Sequence, residues 1–207
     1  MSISERKRAL VVVRTYPVPT DSGIESSCTA AISDRGEWLR IFPVPWRLLA
    51  PGQRFRKYQW VDFTVTKAQS DARIESHHLV QDGISIVSET LSSARGWRAR
   101  KDVVLPLRSH CLCCLTKQRD SQQHPTLGIV RPESISRLRI APDTAEWTGA
   151  QLGMLRQQHF FAHAPQRELE KTPFKFYYGF RCPEPSCKGH TLMRDRSHLG
   201  PRLQVRG

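Results

Sequence analysis

Long hydrophobic runs are absent from this 207-residue sequence. The longest uninterrupted apolar segment is Ala9–Val13, whereas a membrane-spanning helix needs about 20 apolar residues. The charged residues at 2–8 lead into no apolar stretch of the length that a secretory signal peptide requires. We therefore expect a folded cytoplasmic protein that neither spans nor binds a membrane, and whose six cysteines serve as thiols or metal ligands rather than as a disulfide scaffold.

Several common functional motifs are also missing. The sequence contains no Walker loop, dinucleotide-binding fingerprint or nucleophile elbow, and no internal repeat or flexible linker divides it. Acidic residues are scarce, since 19 Asp and Glu stand against 32 Lys and Arg, which gives a formal net charge of +13. An excess of this size favours a polyanionic partner, because phosphates that bind basic side chains release their counterions.

The basic side chains are concentrated in two segments. Residues 36–57 contain five Lys and Arg against one acidic residue, and residues 94–119 contain seven against one. Arginine suits phosphate recognition because its guanidinium group makes forked contacts to phosphate and stacks on bases. The side chains that we predict to contact nucleic acid are Arg40, Arg47, Arg54, Arg56, Lys57, Arg98, Arg100 and Lys101.

Aromatic residues lie within and beside these segments. The candidates for stacking on bases are Trp38, Trp46, Trp60, Trp97 and Tyr177. Because aromatic rings stack on any base that is not already paired, the sequence favours a single strand or RNA as the ligand. The alternative is that the chain is the basic subunit of a complex with an acidic protein.

Apolar patterning predicts an α+β, β-rich fold. We expect a curved antiparallel sheet or small open barrel, covered by two helices and followed by a C-terminal zinc knuckle. One helix is predicted to start at Asp143, which has capping-box spacing to Glu146, and a second over residues 108–118. We predict one domain over residues 1–193 and an irregular tail over 194–207. The strands are predicted at residues 10–13, 28–32, 37–42, 61–65, 84–87, 127–130, 135–140 and 174–180.

The strongest candidate for a metal site lies at residues 180–190. Cys182 and Cys187 are separated by four residues, and His190 follows after three more. Thiolates and imidazole are the ligands that Zn²⁺ prefers, and a tight turn brings them together. We therefore predict a structural zinc site with Cys182, Cys187 and His190 as ligands.

The ligation that Cys182, Cys187 and His190 leave incomplete has two candidate sources. His198 from the tail is one, and the pair Cys111 and Cys114, which has Cys-x-x-Cys spacing, is the other. A redox role for that pair would need a thioredoxin-like βαβ unit, which the sequence does not indicate. Packing of these cysteines against a helix is the simpler interpretation.

A cluster of polar residues after the 61–65 strand is the best candidate for catalysis. Asp71, Glu75 and His77 would serve a nuclease or phosphodiesterase that uses Mg²⁺ or Mn²⁺. In an extended strand, however, the two carboxylates would lie about 13 Å apart, too far to bind one ion together. A structural role in a loop is therefore favoured, and catalysis on nucleic acid is the alternative to simple binding.

Several segments together resemble a known group of sequences. The two most distinctive are residues 36–45, GEWLRIFPVP, and residues 180–190, FRCPEPSCKGH. On these segments the chain resembles a group of small, uncharacterised bacterial proteins. The resemblance implies the C-terminal knuckle, but it carries no assigned activity.

Overall fold

The computed structural model describes residues 3–20, 24–119, 126–158 and 168–194. The strands are β1 (Ser4–Arg14), β2 (Ser27–Ser33), β3 (Trp38–Val44), β4 (Trp60–Lys67), β5 (Ser76–Ile86), β6 (Arg108–Ser109), β7 (Ile129–Val130), β8 (Ser134–Pro142), β9 (Phe174–Arg181) and β10 (His190–Arg194). The α-helices are α1 (Ala94–Val104), α2 (Leu112–Arg119) and α3 (Gly149–Gln158). Over the residues described, none of the helices is long and apolar enough to cross a membrane.

The first five strands form a closed barrel in the order β1-β2-β3-β5-β4. All neighbouring pairs are antiparallel except β3 and β5, which run parallel. Two short 3-10 helices, Trp46–Leu48 and Pro51–Gln53, connect β3 to β4, and Trp46 and Leu49 pack against the core. The β-rich α+β fold is thus confirmed, with the predicted small barrel closed rather than open.

The alternation of buried and outward-facing side chains along β4 shows which face of the strand lines the barrel core. Val61 and Phe63 of β4 are fully buried in that core. Asp62, between them, points to the opposite face of the strand, where Arg6 and Arg8 of β1 bind its carboxylate at 2.7 and 2.8 Å. The charged first half of β1 pairs with β4 from Ser4 onward, and these ion pairs lie on the outer face of the two strands.

A second sheet has the order β10-β9-β8 and is antiparallel throughout. The predicted strand over 174–180 lies within β9, in which Phe176 and Phe180 are buried while Lys175, Tyr177 and Tyr178 are partly exposed. The chain leaves β9 at Arg181 and returns in β10 at His190. The knuckle residues between them are therefore held at the end of a hydrogen-bonded hairpin.

The helices differ from the sequence prediction in two places. The helix α3 begins at Gly149 instead of Asp143, because Thr148 and Gln151 cap it reciprocally: the backbone N–H of each donates to the side chain of the other. Asp143 instead forms an ion pair with Lys175. The helix α1 was not predicted, and it opens with a left-handed turn over residues 95–97. The second predicted helix, over residues 108–118, is close to α2.

Candidate metal centre and nucleic-acid interface

Four potential metal ligands converge beside the β9–β10 hairpin. The ligand atoms of Cys113, Cys182, Cys187 and His190 all lie within 4.8 Å of one another. The Sγ atoms of Cys113 and Cys187 each lie 3.3 Å from His190 Nε2. A tetrahedral zinc ion, with Zn–S about 2.3 Å and Zn–N about 2.0 Å, places neighbouring S and N ligands about 3.5 Å apart. The two S–N distances are close to this value, and the four side chains could hold a metal ion.

Backbone N–H groups direct the thiolates of this centre. Cys187 Sγ accepts hydrogen bonds from the N–H groups of Cys182 and Gly189, each at 3.4 Å. Gly189 has φ +97°, a conformation that glycine adopts without strain. Cys182 Sγ accepts a hydrogen bond from the N–H of Leu112 at 3.1 Å. The N–H of Cys182 is the main reason that the pKa of Cys187 is lowered, which favours the thiolate that a metal binds.

The second sheet and α2 bury Cys182 and Cys187 of this centre, while Cys113 and His190 are half-buried. Cys182 and Cys187 are each 2% exposed. The ring of Phe180 lies 5.3 Å from the His190 imidazole, and Leu112 and Val130 pack against the same cluster. A shell of this kind limits the access of water and competing ligands to a bound metal.

The predicted ligands Cys182, Cys187 and His190 are thus brought together, but the fourth member of the group is Cys113. The other two candidates from the same segment, Cys111 and Cys114, form a disulfide, so the expectation that they complete the site is corrected. Cys113 lies between them and is marked by no local motif. His198, the remaining candidate, lies outside the described residues, as does the predicted tail beyond Arg194.

The three predicted catalytic residues do not assemble into a site. Asp71 forms ion pairs with Arg73 and Arg40 at 2.9 and 3.1 Å. The hydrogen bond from the Arg73 side chain is the main reason that the pKa of the Asp71 carboxyl is lowered. Glu75 is 3% exposed and accepts a hydrogen bond from the N–H of Thr126 at 2.8 Å. Within the described ranges, no metal-binding group includes either carboxylate.

His77 also makes contacts within the barrel. Its Nδ1 lies 2.9 Å from the carbonyl oxygen of Glu75, and its Nε2 lies 3.5 Å from a carboxylate oxygen of Glu5. Burial lowers the pKa of His77 and so favours its neutral ring. These contacts tie the start of β5 to β1, which is a structural role.

The eight basic residues predicted to contact nucleic acid fall into two sets. Three of them bind to parts of the fold outside α1, and Arg100 of α1 donates to the carbonyl oxygen of Leu91 at 2.8 Å. Arg40 pairs with Asp71, as described above, and Arg47 binds Glu25 at 3.0 Å. Arg54 donates to the carbonyl oxygen of Leu49 at 2.9 Å. Their guanidinium groups support the 3-10 segment and the loop before β5.

The other five belong to a surface formed by α1 and the segment before β4. The Arg100 guanidinium lies 4.2 Å from the Tyr58 ring centre and 4.9 Å from that of Trp97. The two rings meet edge to face at 5.9 Å. Trp97 is 48% exposed. We call this surface the α1 patch; its members are Arg56, Lys57, Tyr58, Trp97, Arg98, Arg100 and Lys101.

The remaining predicted stacking residues are less accessible. Trp46 packs on the barrel core under the guanidinium of Arg14, and Trp38 and Trp60 are half-buried. Tyr177 is also half-buried, and the Arg139 guanidinium covers its ring at 4.2 Å. Tyr58, which the sequence did not single out, is instead part of the α1 patch.

Two families match the chain, one after the other. Residues 5–106 match a family described as Domain of unknown function (DUF8758), and residues 108–197 match one described as Domain of unknown function (DUF8757). No curated protein matches the chain, and no solved structure does. The first match covers the barrel and α1, and the second covers the metal centre. An uncharacterised family therefore fits the chain. That residues 1–193 form a single domain stays a prediction.

Proposed function

We propose that this protein binds single-stranded nucleic acid or RNA through the α1 patch and carries a structural zinc ion in the Cys113, Cys182, Cys187 and His190 centre. The arrangement of Arg100 between two aromatic rings, one of them exposed, is the observation that carries the nucleic-acid part. An exposed ring beside guanidinium groups is the combination that stacks on bases and neutralises phosphates.

The cationic surroundings of Trp97 support the same ligand. Arg98 and Lys101 on α1 are exposed, and so is Arg56 two residues before Tyr58. None of these three forms an ion pair among the described residues. Basic side chains that are not neutralised by internal acids remain available to a phosphate backbone.

The barrel gives further support. Its strand order, with a single parallel pair between β3 and β5, is also the order of the OB-fold, a five-stranded barrel that often binds oligonucleotides. A fold alone does not define a function. Here the barrel matters because it places Tyr58, at the entrance to β4, against α1.

Zinc is the metal that the donor set favours. Three thiolates and one imidazole are typical of closed structural zinc sites, whereas Mg²⁺ and Mn²⁺ prefer oxygen ligands. A bound zinc ion would hold the first turn of α2 against the β9–β10 hairpin. Catalysis is not part of the proposal, because Asp71, Glu75 and His77 form separate structural contacts.

Fluorescence anisotropy with a labelled single-stranded oligonucleotide tests the binding proposal. Affinity should fall steeply with salt, with a log–log slope of several units if about five phosphates are contacted. The double variant Arg98→Glu/Lys101→Glu should weaken binding by roughly tenfold or more, because both side chains are exposed and each reversal adds repulsion.

The matched control is Lys117→Glu/Arg156→Glu, which changes the net charge equally on exposed positions of α2 and α3. It should reduce affinity far less than the α1 double variant. Equal losses in the two variants would show that only overall charge matters, and salt-independent binding would contradict a phosphate ligand. A parallel titration with polyglutamate, an acidic polypeptide, tests the alternative partner.

A further inference from the structure

The disulfide between Cys111 and Cys114 lies at the start of α2. Cys111 immediately precedes the helix, and its Sγ accepts a hydrogen bond from the backbone N–H of Cys114 at 3.0 Å. Cys-x-x-Cys at a helix N-terminus is the arrangement in which one thiolate is stabilised by the helix and its backbone N–H groups. The pair therefore has a local environment suited to reversible oxidation.

The surrounding topology is a small βαβ unit. The strands β6 and β7 pair in parallel, Arg108 with Ile129 and Ser109 with Val130, and α2 lies between them in the chain. A Cys-x-x-Cys pair in a βαβ unit is typical of thiol–disulfide redox sites. Each strand is only two residues long, which explains why the sequence did not reveal the unit.

The two cysteine residues differ in burial. Cys111 is fully buried, whereas Cys114 is partly exposed. An incoming thiolate from solvent can therefore reach Cys114 Sγ first. The geometry makes Cys114 the attacked sulfur and Cys111 the leaving thiolate.

The pair brackets a ligand of the metal centre. Cys113 lies between the two cysteines, and the preceding residue, Leu112, donates its N–H to Cys182 Sγ. A closed disulfide fixes the same helical turn from which Cys113 reaches His190. Opening the disulfide removes a covalent restraint on that turn.

We propose that Cys111 and Cys114 are a redox-active pair that exchanges with low-molecular-weight thiols, and that the disulfide slows metal release from the neighbouring centre. A thiolate RS⁻ attacks Cys114 Sγ, the S–S bond breaks, and Cys111 leaves as a thiolate that takes up a proton. A second RS⁻ attacks the sulfur of the bound R group, which releases Cys114 as a thiolate and forms RSSR. The protein gains two electrons and the two thiols are oxidised.

The exchange step stands without the nucleic-acid proposal, whereas its effect on metal release rests on the proposed zinc centre. Differential alkylation of the zinc-loaded full chain tests the exchange by itself. Iodoacetamide is applied in glutathione buffers of graded redox poise, and the modified cysteines are identified by mass spectrometry. Cys111 and Cys114 should become modified together as the buffer becomes reducing, while Cys182 and Cys187 stay protected by the metal.

The rate of zinc transfer to a chromogenic chelator tests the coupling. Transfer should be several-fold faster for the reduced than for the oxidised protein, and the variant Cys111→Ser/Cys114→Ser should be fast under both conditions. Cys28→Ser, which alters a cysteine in β2, is the matched control and should retain the difference. Equal rates in the two redox states overturn the coupling.

Two results overturn the redox pair itself. One is modification of Cys111 and Cys114 at every poise, which means that no disulfide forms. The other is a second zinc ion per chain that Cys111→Ser/Cys114→Ser removes, because the two thiols and the nearby Glu184 carboxylate would then be metal ligands.

Discussion

The barrel and the C-terminal sheet are stabilised in different ways. The barrel core contains eleven buried hydrophobic residues drawn from all five of its strands and the segment before β4. The buried cluster beside the second sheet contains four residues, of which three are cysteines. A large apolar core supplies stability by burial, whereas a small cluster needs a metal or a covalent link.

Exposed side chains of the second sheet show the same contrast. Several large apolar residues of β8 and β10 are exposed by about half or more: Ile135, Leu138, Ile140, Leu192 and Met193. These residues contribute little burial energy to their own sheet. We therefore expect ligation at Cys113, Cys182, Cys187 and His190 to provide much of the stability of this region, whereas the barrel should not depend on it.

Loss of a metal ligand should have the largest effect. In Cys187→Ser, zinc content should fall from about one per chain to near zero, and β9 and β10 should lose protection from hydrogen exchange, because structural zinc contributes on the order of 10 kcal/mol to a small fold. The barrel strand β4 should keep its protection. The control Cys28→Ser should retain zinc. Loss of protection in β4 together with β9 would contradict the division between the two regions.

Shortening a side chain in the barrel core should have the next largest effect, and this effect should fall on the barrel instead of the second sheet. Phe63 is fully buried and meets Phe55 edge to face at 5.5 Å. Phe63→Ala should lower the free energy of unfolding of the barrel by about 3–5 kcal/mol through lost burial and a cavity. Ile140→Ala, at a side chain 56% exposed, should cost less than about 0.5 kcal/mol. Urea denaturation measures both, and comparable costs would refute the contrast.

The smallest effect concerns Asp62 and pH. Hydrogen bonds from Arg8 and Arg6 lower the pKa of this buried carboxyl in the folded barrel. A depressed folded pKa stabilises the protein above the unfolded value of about 3.9, and that contribution is lost as pH falls below it. The protection factors of the β4 amides, which allow for the intrinsic pH dependence of exchange, should therefore fall in acid in the natural protein and change less with pH in Asp62→Asn. The same response to acid in the natural protein and in Asp62→Asn would show that Asp62 does not cause it.

The sequence predicts the barrel well where burial alternates with exposure. The strand β4 and the β2–β3 hairpin follow directly from the apolar pattern. The first half of β1 was missed because its charged residues lie on the outside and give no hydrophobic signal. The start of β5 was missed because its buried residues include Ser76 and His77, whose polarity is satisfied only in the folded structure.

The site was predicted in part for a similar physical reason. Cys182, Cys187 and His190 share one turn, so their spacing carries the signal of a metal knuckle. Cys113 reaches the same place from a helix about 70 residues earlier, and only tertiary packing brings it there. Tyr58 enters the α1 patch in the same way, through contact with Trp97.

The coordination of zinc is the most direct test of the central claim, that one metal ion joins α2 to the β9–β10 hairpin. X-ray absorption at the zinc edge of the purified protein should show three sulfur ligands at about 2.3 Å and one nitrogen at about 2.0 Å. Cys113→Ser should reduce the sulfur count or remove the metal, while Cys111→Ser/Cys114→Ser should leave the spectrum unchanged. A spectrum with only nitrogen and oxygen ligands, or one insensitive to Cys113→Ser, would contradict the account.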